Sequence, residues 1–560
     1  MTRFVMIFRV FTVVTFIFFL VPHSFSQNVT APVTPDKACN ITTNPDFCRS
    51  VLPPYGRSDL YDYGRFLVRQ SLHQSKRFSH LIDRSLRDNS TSLSGAGIGA
   101  LRDCIVLSQL TTNYLSSSIA TLNDTTTTTL PVDQADDVHT LLSAIVTNQQ
   151  TCFDGLAQAS VLKRKGDLYQ PLVNGSKLYS TSLAMFTHSW AQKGHKKHKQ
   201  GRQLLDELRV RRDGLPSWVN GGFFRSGPSR RSVQQSVRGG APVLTTVVVA
   251  KRGKANFSSI NDAIAAAPDN VNASYGYYVI KIKEGVYEEY VSVNSSKSNI
   301  MMVGAGINKT IITGNRSVGD GFTTFNSATF VVVGRNFVGM RLTIRNTAGP
   351  AKHQAVAVRN GADLSTFYKC SFEGYQDTLY AHSLRQFYRE CDVYGTVDFI
   401  FGNAAVVFQK CKLYARLPSQ GQSNMFTAQG RTDPNQNTGI SIINSALLTT
   451  PELAAANGSI QSYLGRPWKE YSRTVYMLSN IGSLIDPAGW APWSGDFALS
   501  TLYYGEYKNR GAGSKTDKRV TWPGFHVLAA VDASNFTVAN FVQGDTWLDS
   551  TSVPFSTGLI

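Results

Sequence analysis

A chain of 560 residues exceeds one ordinary domain, and 42% hydrophobic with 17% charged side chains is a globular composition, which excludes a disordered polymer. A formal charge of +18 implies acidic partners, drawn by long-range attraction rather than by a specific contact. Nucleic acid is set aside, because the chain carries no recognisable RNA- or DNA-binding motif, and an anionic polysaccharide matrix fits better.

The first segment has Arg3 and Arg9, an apolar run from Val10 to Val21, then Ser24 and Ser26 as small residues. This is the layout of a secretory signal peptide over residues 1–26, cleaved after Ser26. As a helix the run of 12 residues reaches only about 18 Å of a hydrocarbon core nearer 30 Å, so no stable membrane insertion is expected after signal removal. Secretion to an extracellular location follows, and Asn-x-Ser/Thr acceptors such as Asn174 and Asn308 suit a glycoprotein.

Residues 27–190 read as a helical region. From about Leu60 to Leu162, apolar positions such as Leu101, Ile105, Leu115, Ile119 and Leu122 recur at helical spacing. Val138, Leu141, Leu142 and Ile145 repeat the pattern, and an all-α four-helix bundle buries such stripes. In an oxidising compartment cysteines pair. Cys39 with Cys48 would tie the start of this region, and Cys104 with Cys152 would staple two helices, for a few kcal/mol. No C-x-x-C occurs, so a zinc site is disfavoured and no metal is expected.

Residues 191–242 form a basic linker, with 12 Lys/Arg between Lys193 and Arg238. Exposed basic clusters between folded units invite a processing protease, and Arg202 ahead of Leu204-Leu205 is the favoured site.

From 243 to 560 the chain turns to short β-rich segments, among them Thr245–Val249, Tyr277–Ile282, Asn299–Val303, Phe330–Val333, Met340–Ile344 and Ala355–Val358. Phe367-x-x-Cys370, Tyr388-x-x-Cys391 and Phe408-x-x-Cys411 recur at spacings of 21 and 20 residues. One motif returning at that interval predicts a parallel β-helix, with the aromatics and cysteines stacked as interior ladders. Asp377 follows Cys370 by seven residues and Asp398 follows Cys391 by seven, which puts them at equivalent places on neighbouring coils. Coils lie about 4.8 Å apart. Two carboxylates so close do not both ionise readily, so one becomes an acid beside an anionic nucleophile or base.

The surrounding motifs are H-Q-A-V-A-V from His353, G-Y-Q-D-T-L-Y from Gly374, G-T-V-D-F-I-F-G from Gly395, Y-L-G-R-P-W-K-E-Y from Tyr463 and P-A-G-W from Pro487. At these residues the chain resembles plant-type pectin methylesterases, from Val247 almost to Leu559. The helical region with its four cysteines looks like the pectin methylesterase inhibitor domain that precedes many such enzymes. The resemblance implies a right-handed parallel β-helix and hydrolysis of C6 methyl esters of methyl-esterified homogalacturonan, with no cofactor. It also implies an autoinhibitory or chaperoning pro-region and a possible inhibitor protein as partner.

By motif, the resemblance makes Asp398 the nucleophile and Asp377 the acid, later the base, which requires Asp377 to rest neutral. Gln354 and Gln376 match the oxyanion-stabilising amides, and Arg466 matches the arginine that orients the nucleophile. Thr324 and Trp468, with Gln354 and Arg466, match substrate contacts. The family pairing implies a Cys391–Cys411 disulfide, although stacking alone allows Cys370 with Cys391 equally well. Arg252 and Arg341 stand where the family has acidic residues. A retaining glycosidase also uses two carboxylates about 5 Å apart, but the two glutamines and Arg466 favour acyl chemistry, and no G-x-S-x-G elbow supports a serine esterase.

Overall fold

Amphipathic stripes over four long segments fold the N-terminal half. A computed structural model describes residues 31–191 and 242–559, apart from 55, 89–92, 124–129, 165 and 457. The signal segment 1–26 and the linker sites Arg202, Arg211-Arg212 and Arg230-Arg231 lie outside the described residues.

Helices Leu60–Asp88, Gly95–Asn123, Val132–Gln158 and Gly166–Ser189 form the bundle, the first packed on the second and fourth and the third on the same two. Their inward stripe includes Leu67, Phe78, Leu115, Leu142, Leu183 and Phe186, all buried. The fourth helix extends the helical region beyond Leu162. Its Gly166, Pro171 and Gly175 mask the helical signal in the sequence, yet Leu172, Leu178, Leu183 and Phe186 bury a continuous face. Cys39 is joined to Cys48, and Cys104 to Cys152 across the second and third long helices.

The second half is a right-handed parallel β-helix. Its strands form three parallel sheets of 11, 8 and 6 strands, with one further two-stranded pair. One coil runs Ser365–Tyr368, Ser371–Glu373, Leu379–Ala381, and the next runs Arg385–Arg389, Asp392–Gly395, Ile400–Gly402. The register pairs Phe367 with Tyr388 and Tyr388 with Phe408. Those rings stack 5.4 and 4.7 Å apart, so the repeated aromatic forms a ladder inside the coil.

Lys369, Glu390 and Lys410, each just before a repeat cysteine, take left-handed φ values of 51°, 52° and 56°. They turn each coil from the 11-stranded sheet to the 8-stranded one. A similar corner at Arg341 (φ 55°) divides the segment expected as one strand over Met340–Ile344 into Val338–Met340 and Thr343–Asn346. Aspartate adopts this conformation more readily than arginine. Here the Arg341 side chain donates to the Ala305 carbonyl at 2.6 Å. The expected strand Ala355–Val358 begins later, as Val358–Asn360.

The expected Cys391–Cys411 disulfide is absent: Cys370, Cys391 and Cys411 are all free and buried. Their side chains leave successive coils in parallel, and each thiol donates along the stack. Cys391 Sγ reaches the Phe367 carbonyl at 3.4 Å and Cys411 Sγ the Tyr388 carbonyl at 3.5 Å. In place of a bond to its neighbour, each of these two thiols is held by a carbonyl of the preceding coil. Thiol titration of the fully denatured, unreduced chain should therefore count three reactive groups. A count of one would restore the bridge.

Candidate functional site

Asp377 and Asp398 each stand two residues ahead of a strand of the 6-stranded sheet, Leu379–Ala381 and Ile400–Gly402. Leu379 pairs with Ile400, which fixes the two aspartates on adjacent coils at the same height. The Asp377 N–H donates to the Val397 carbonyl at 3.1 Å. Both residues are left-handed, with φ 64° and 53°, a conformation that aspartate tolerates better than most residues.

Arg466 clamps Asp398 with two parallel bonds, Nε to Oδ1 and Nη2 to Oδ2, both 2.8 Å. Its own N–H donates to the Thr427 carbonyl at 3.0 Å. Close approach here requires Gly465, since a Cβ at that position would lie 2.1 Å from Thr427 Oγ1.

Both aspartates are buried, and burial pushes both carboxyls above the ordinary range. They then diverge. Asp377 rises well above its usual value, through burial first and the Asp398 charge second, with Arg466 opposing. Asp398 is raised by burial but pulled back by hydrogen bonds and charge from Arg466. A proton shared by the pair is therefore favoured on Asp377, and negative charge on Asp398.

Thr324, Gln354, Gln376, Asp377, Asp398, Arg466 and Trp468 all line one cavity of about 430 Å³. The structure thus brings together the seven side chains that the sequence proposed for the site. The Ala355 N–H donates to the Gln376 carbonyl at 3.2 Å, which ties the segments carrying the two glutamines. Trp468 stands edge-on to Phe401 and Tyr380, at 5.9 and 6.5 Å. Gly430 makes room for it, because a Cβ there would meet the ring at 2.7 Å.

Other lining residues were missed, among them Phe325, Tyr380, Phe401, Lys469 and Trp493. Two of them had a readable signal. Leu379, Ala381 and Ile400 face the core, so strand alternation turns Tyr380 and Phe401 outward, over the cleft. Trp493 lies below the Arg466 guanidinium, 4.4 Å from ring centroid to Cζ, and nothing in its local spacing marks it.

The remaining wall comes from the helical half. Ala100 and Asp103 of Gly95–Asn123, and Thr151, Asp154, Gly155, Ala157 and Gln158 at the end of Val132–Gln158, close over the cavity. Asp103 accepts from the Thr323 hydroxyl, and Asp154 accepts from Lys469 Nζ at 2.9 Å. Further along, Thr151 Oγ1 meets His382 Nε2 at 3.0 Å, Asn403 donates to Thr147 at 2.9 Å, and Gln436 donates to the Ser143 carbonyl at 2.8 Å. Phe78, Ile82 and Leu107 share an apolar cluster with Phe325, Tyr380 and Phe401.

Comparison with known proteins agrees with this architecture. The sequence model of the family described as Pectinesterase matches residues 246–545, and that of Plant invertase/pectin methylesterase inhibitor matches 34–185. The probable pectinesterase/pectinesterase inhibitor 41 of Arabidopsis thaliana is 51% identical over 538 residues, covering 93% of this chain and 94% of its own length. Pectinesterase 1 of Citrus sinensis is 47% identical, covering 82% of this chain and 77% of its own. The solved pectin methylesterase from carrot is 55% identical, with a TM-score of 0.55, and covers 56% of this chain and 98% of its own. This chain therefore belongs to the pectinesterase family, with a region of the pectin methylesterase inhibitor type ahead of its β-helix.

Proposed function

We propose that this chain removes C6 methyl esters from homogalacturonan by attack of Asp398, and that its helical half holds the cleft closed until it is released. The observation that carries the first part is the Asp398 carboxyl, clamped by Arg466 beside Asp377, whose own carboxyl burial and the Asp398 charge push well above the ordinary range, in one cavity. One Asp398 oxygen adds to the ester carbonyl carbon, and the resulting oxyanion faces the amide donors of Gln354 and Gln376. The bond to methoxide breaks as Asp377 delivers its proton, releasing methanol and leaving C6 joined to Asp398 as an anhydride. Asp377, now ionised, takes a proton from water, and the hydroxide attacks C6. Asp398 leaves as the carboxylate, the new acid stays on the sugar, and Asp377 is again neutral.

The second part rests on the closing wall, which lays helix over the cavity that holds the dyad. A signal-type leader, two disulfides and a basic linker support release in an extracellular compartment, followed by cleavage near Arg202. The domain limits that follow are 27–190 for the pro-region and 243–560 for the enzyme.

Methanol release from methylated pectin by a chain beginning at Pro242 should fall about 10⁴-fold or more in Asp398→Asn. Persisting turnover would remove Asp398 from the role of nucleophile.

The working form needs Asp398 charged and Asp377 neutral, so the acid limb of kcat/KM follows Asp398. Arg466 lowers that group, and Arg466→Gln should move the limb to higher pH as well as reduce the rate. A limb that stays in place would contradict the clamp.

Asp103 is pushed up to about 6 by burial against the other half, with Thr323 and Arg359 opposing. An undocked Asp103 has an ordinary value, so docking takes up a proton. Closure is then strongest below the ordinary carboxylate range and weakens as pH rises to about 6. The activity of the full chain, relative to the chain from Pro242, should rise over that interval by up to about a hundredfold. Asp103→Asn should flatten this rise, and an unaltered profile would discard Asp103 as its source.

A further inference from the structure

Only two of the cavity's lining side chains are cations, Arg466 and Lys469. Arg466 is committed, with Nε and Nη2 bonded to the two oxygens of Asp398. Lys469 has no acidic partner in the β-helical half among the described residues. Its Nζ is held instead by Asp154 of the helical half, 2.9 Å from Oδ1 and 2.8 Å from Oδ2. The lysine side chain is 19% exposed and leans on the neighbouring ring, Nζ lying 5.2 Å from the Trp468 centroid. Removing the helical half would thus strip this ammonium of its counter-ion while leaving it beside an aromatic plate at the rim of the cleft.

We propose that Lys469 is a carboxylate-binding site of the open enzyme, that Asp154 occupies it in the closed chain as a stand-in, and that its ligand is the free C6 acid of a galacturonate flanking the ester under attack. This rests on the reading of the cleft as a pectin esterase site. Lys469 lies three positions after Arg466, which puts their Cα atoms at most about 10 Å apart, a span over which the ammonium can meet a sugar beside the one whose ester Asp398 attacks. A charged acid gives Lys469 a charge-assisted bond, whereas a methyl ester presents only a neutral carbonyl. The site therefore distinguishes sugars already de-esterified from sugars that are not. Each turnover creates the group that the site prefers, and de-esterification extends from sugars already freed.

The test uses the chain beginning at Pro242. The match to the carrot enzyme covers 98% of that chain and only 56% of this one, so a relative of this half holds its structure without the helical one. Kinetics are measured on fully methylated and on partly de-esterified oligogalacturonides of equal length. The unsubstituted chain should favour the partly de-esterified substrate about tenfold in kcat/KM. Lys469→Gln should bring that ratio close to one, acting through KM, and Lys469→Arg should retain most of it. High salt should erode the preference of the unsubstituted chain and leave the glutamine variant indifferent. Methanol release with the same ratio in Lys469→Gln, or no preference in the unsubstituted chain, overturns the inference alone. No methanol from either substrate overturns the reading of the cleft as well.

Discussion

Parallel, in-register stacking of coils is the constraint on which both architecture and chemistry depend. Each coil presents its backbone to the next at about 4.8 Å, so residues at equivalent positions are forced into line whatever their preference. For Phe367, Tyr388 and Phe408 the result is favourable contact between rings. For Asp377 and Asp398 it is the opposite, since two acids are brought together in a buried place. The surrounding core enforces this unfavourable pairing, and Arg466 on a later coil resolves it by stabilising charge on one member only.

The helical half adds to that effect. Helices Gly95–Asn123 and Val132–Gln158 lie over the dyad, and burial is the largest cause of the upward shift of both carboxyls. An open cleft would rehydrate until substrate took the place of the helices. Substrate can thus restore the difference between acid and nucleophile at the moment it is used.

Much of this was legible beforehand. A fixed interval between aromatic-x-x-Cys motifs implied coils, and the shared offset of Asp377 and Asp398 implied their meeting. The clamp by Arg466 came from resemblance alone, because 68 residues separate it from Asp398 and no spacing argument spans them. The corner at Arg341 was hidden because a left-handed turn leaves no mark on hydropathy. The helix Gly166–Ser189 was blurred by the residues that usually end helices. The cysteines misled for a different reason. Secretion favours pairing in general, but whether two thiols converge depends on side-chain direction within the ladder. Contacts across the two halves, such as Asp154 with Lys469, were beyond reach, since each half's own periodicity is silent about its partner.

Beside its apolar patch, the contact between the halves is polar: neutral pairs such as Asn403 with Thr147 and Asn437 with Thr140, the latter at 3.0 Å, alternate with charged ones, Arg385 with Asp137 at 2.6 Å and Lys469 with Asp154. The neutral groups exchange one hydrogen-bonding partner for water at small net cost. Separation would consequently leave the polar part of each surface wettable, beside an apolar patch that includes Phe325, Tyr380 and Phe401 on the enzyme side. The bundle, braced by its own two disulfides, could then persist as an independent soluble body after it has left the enzyme.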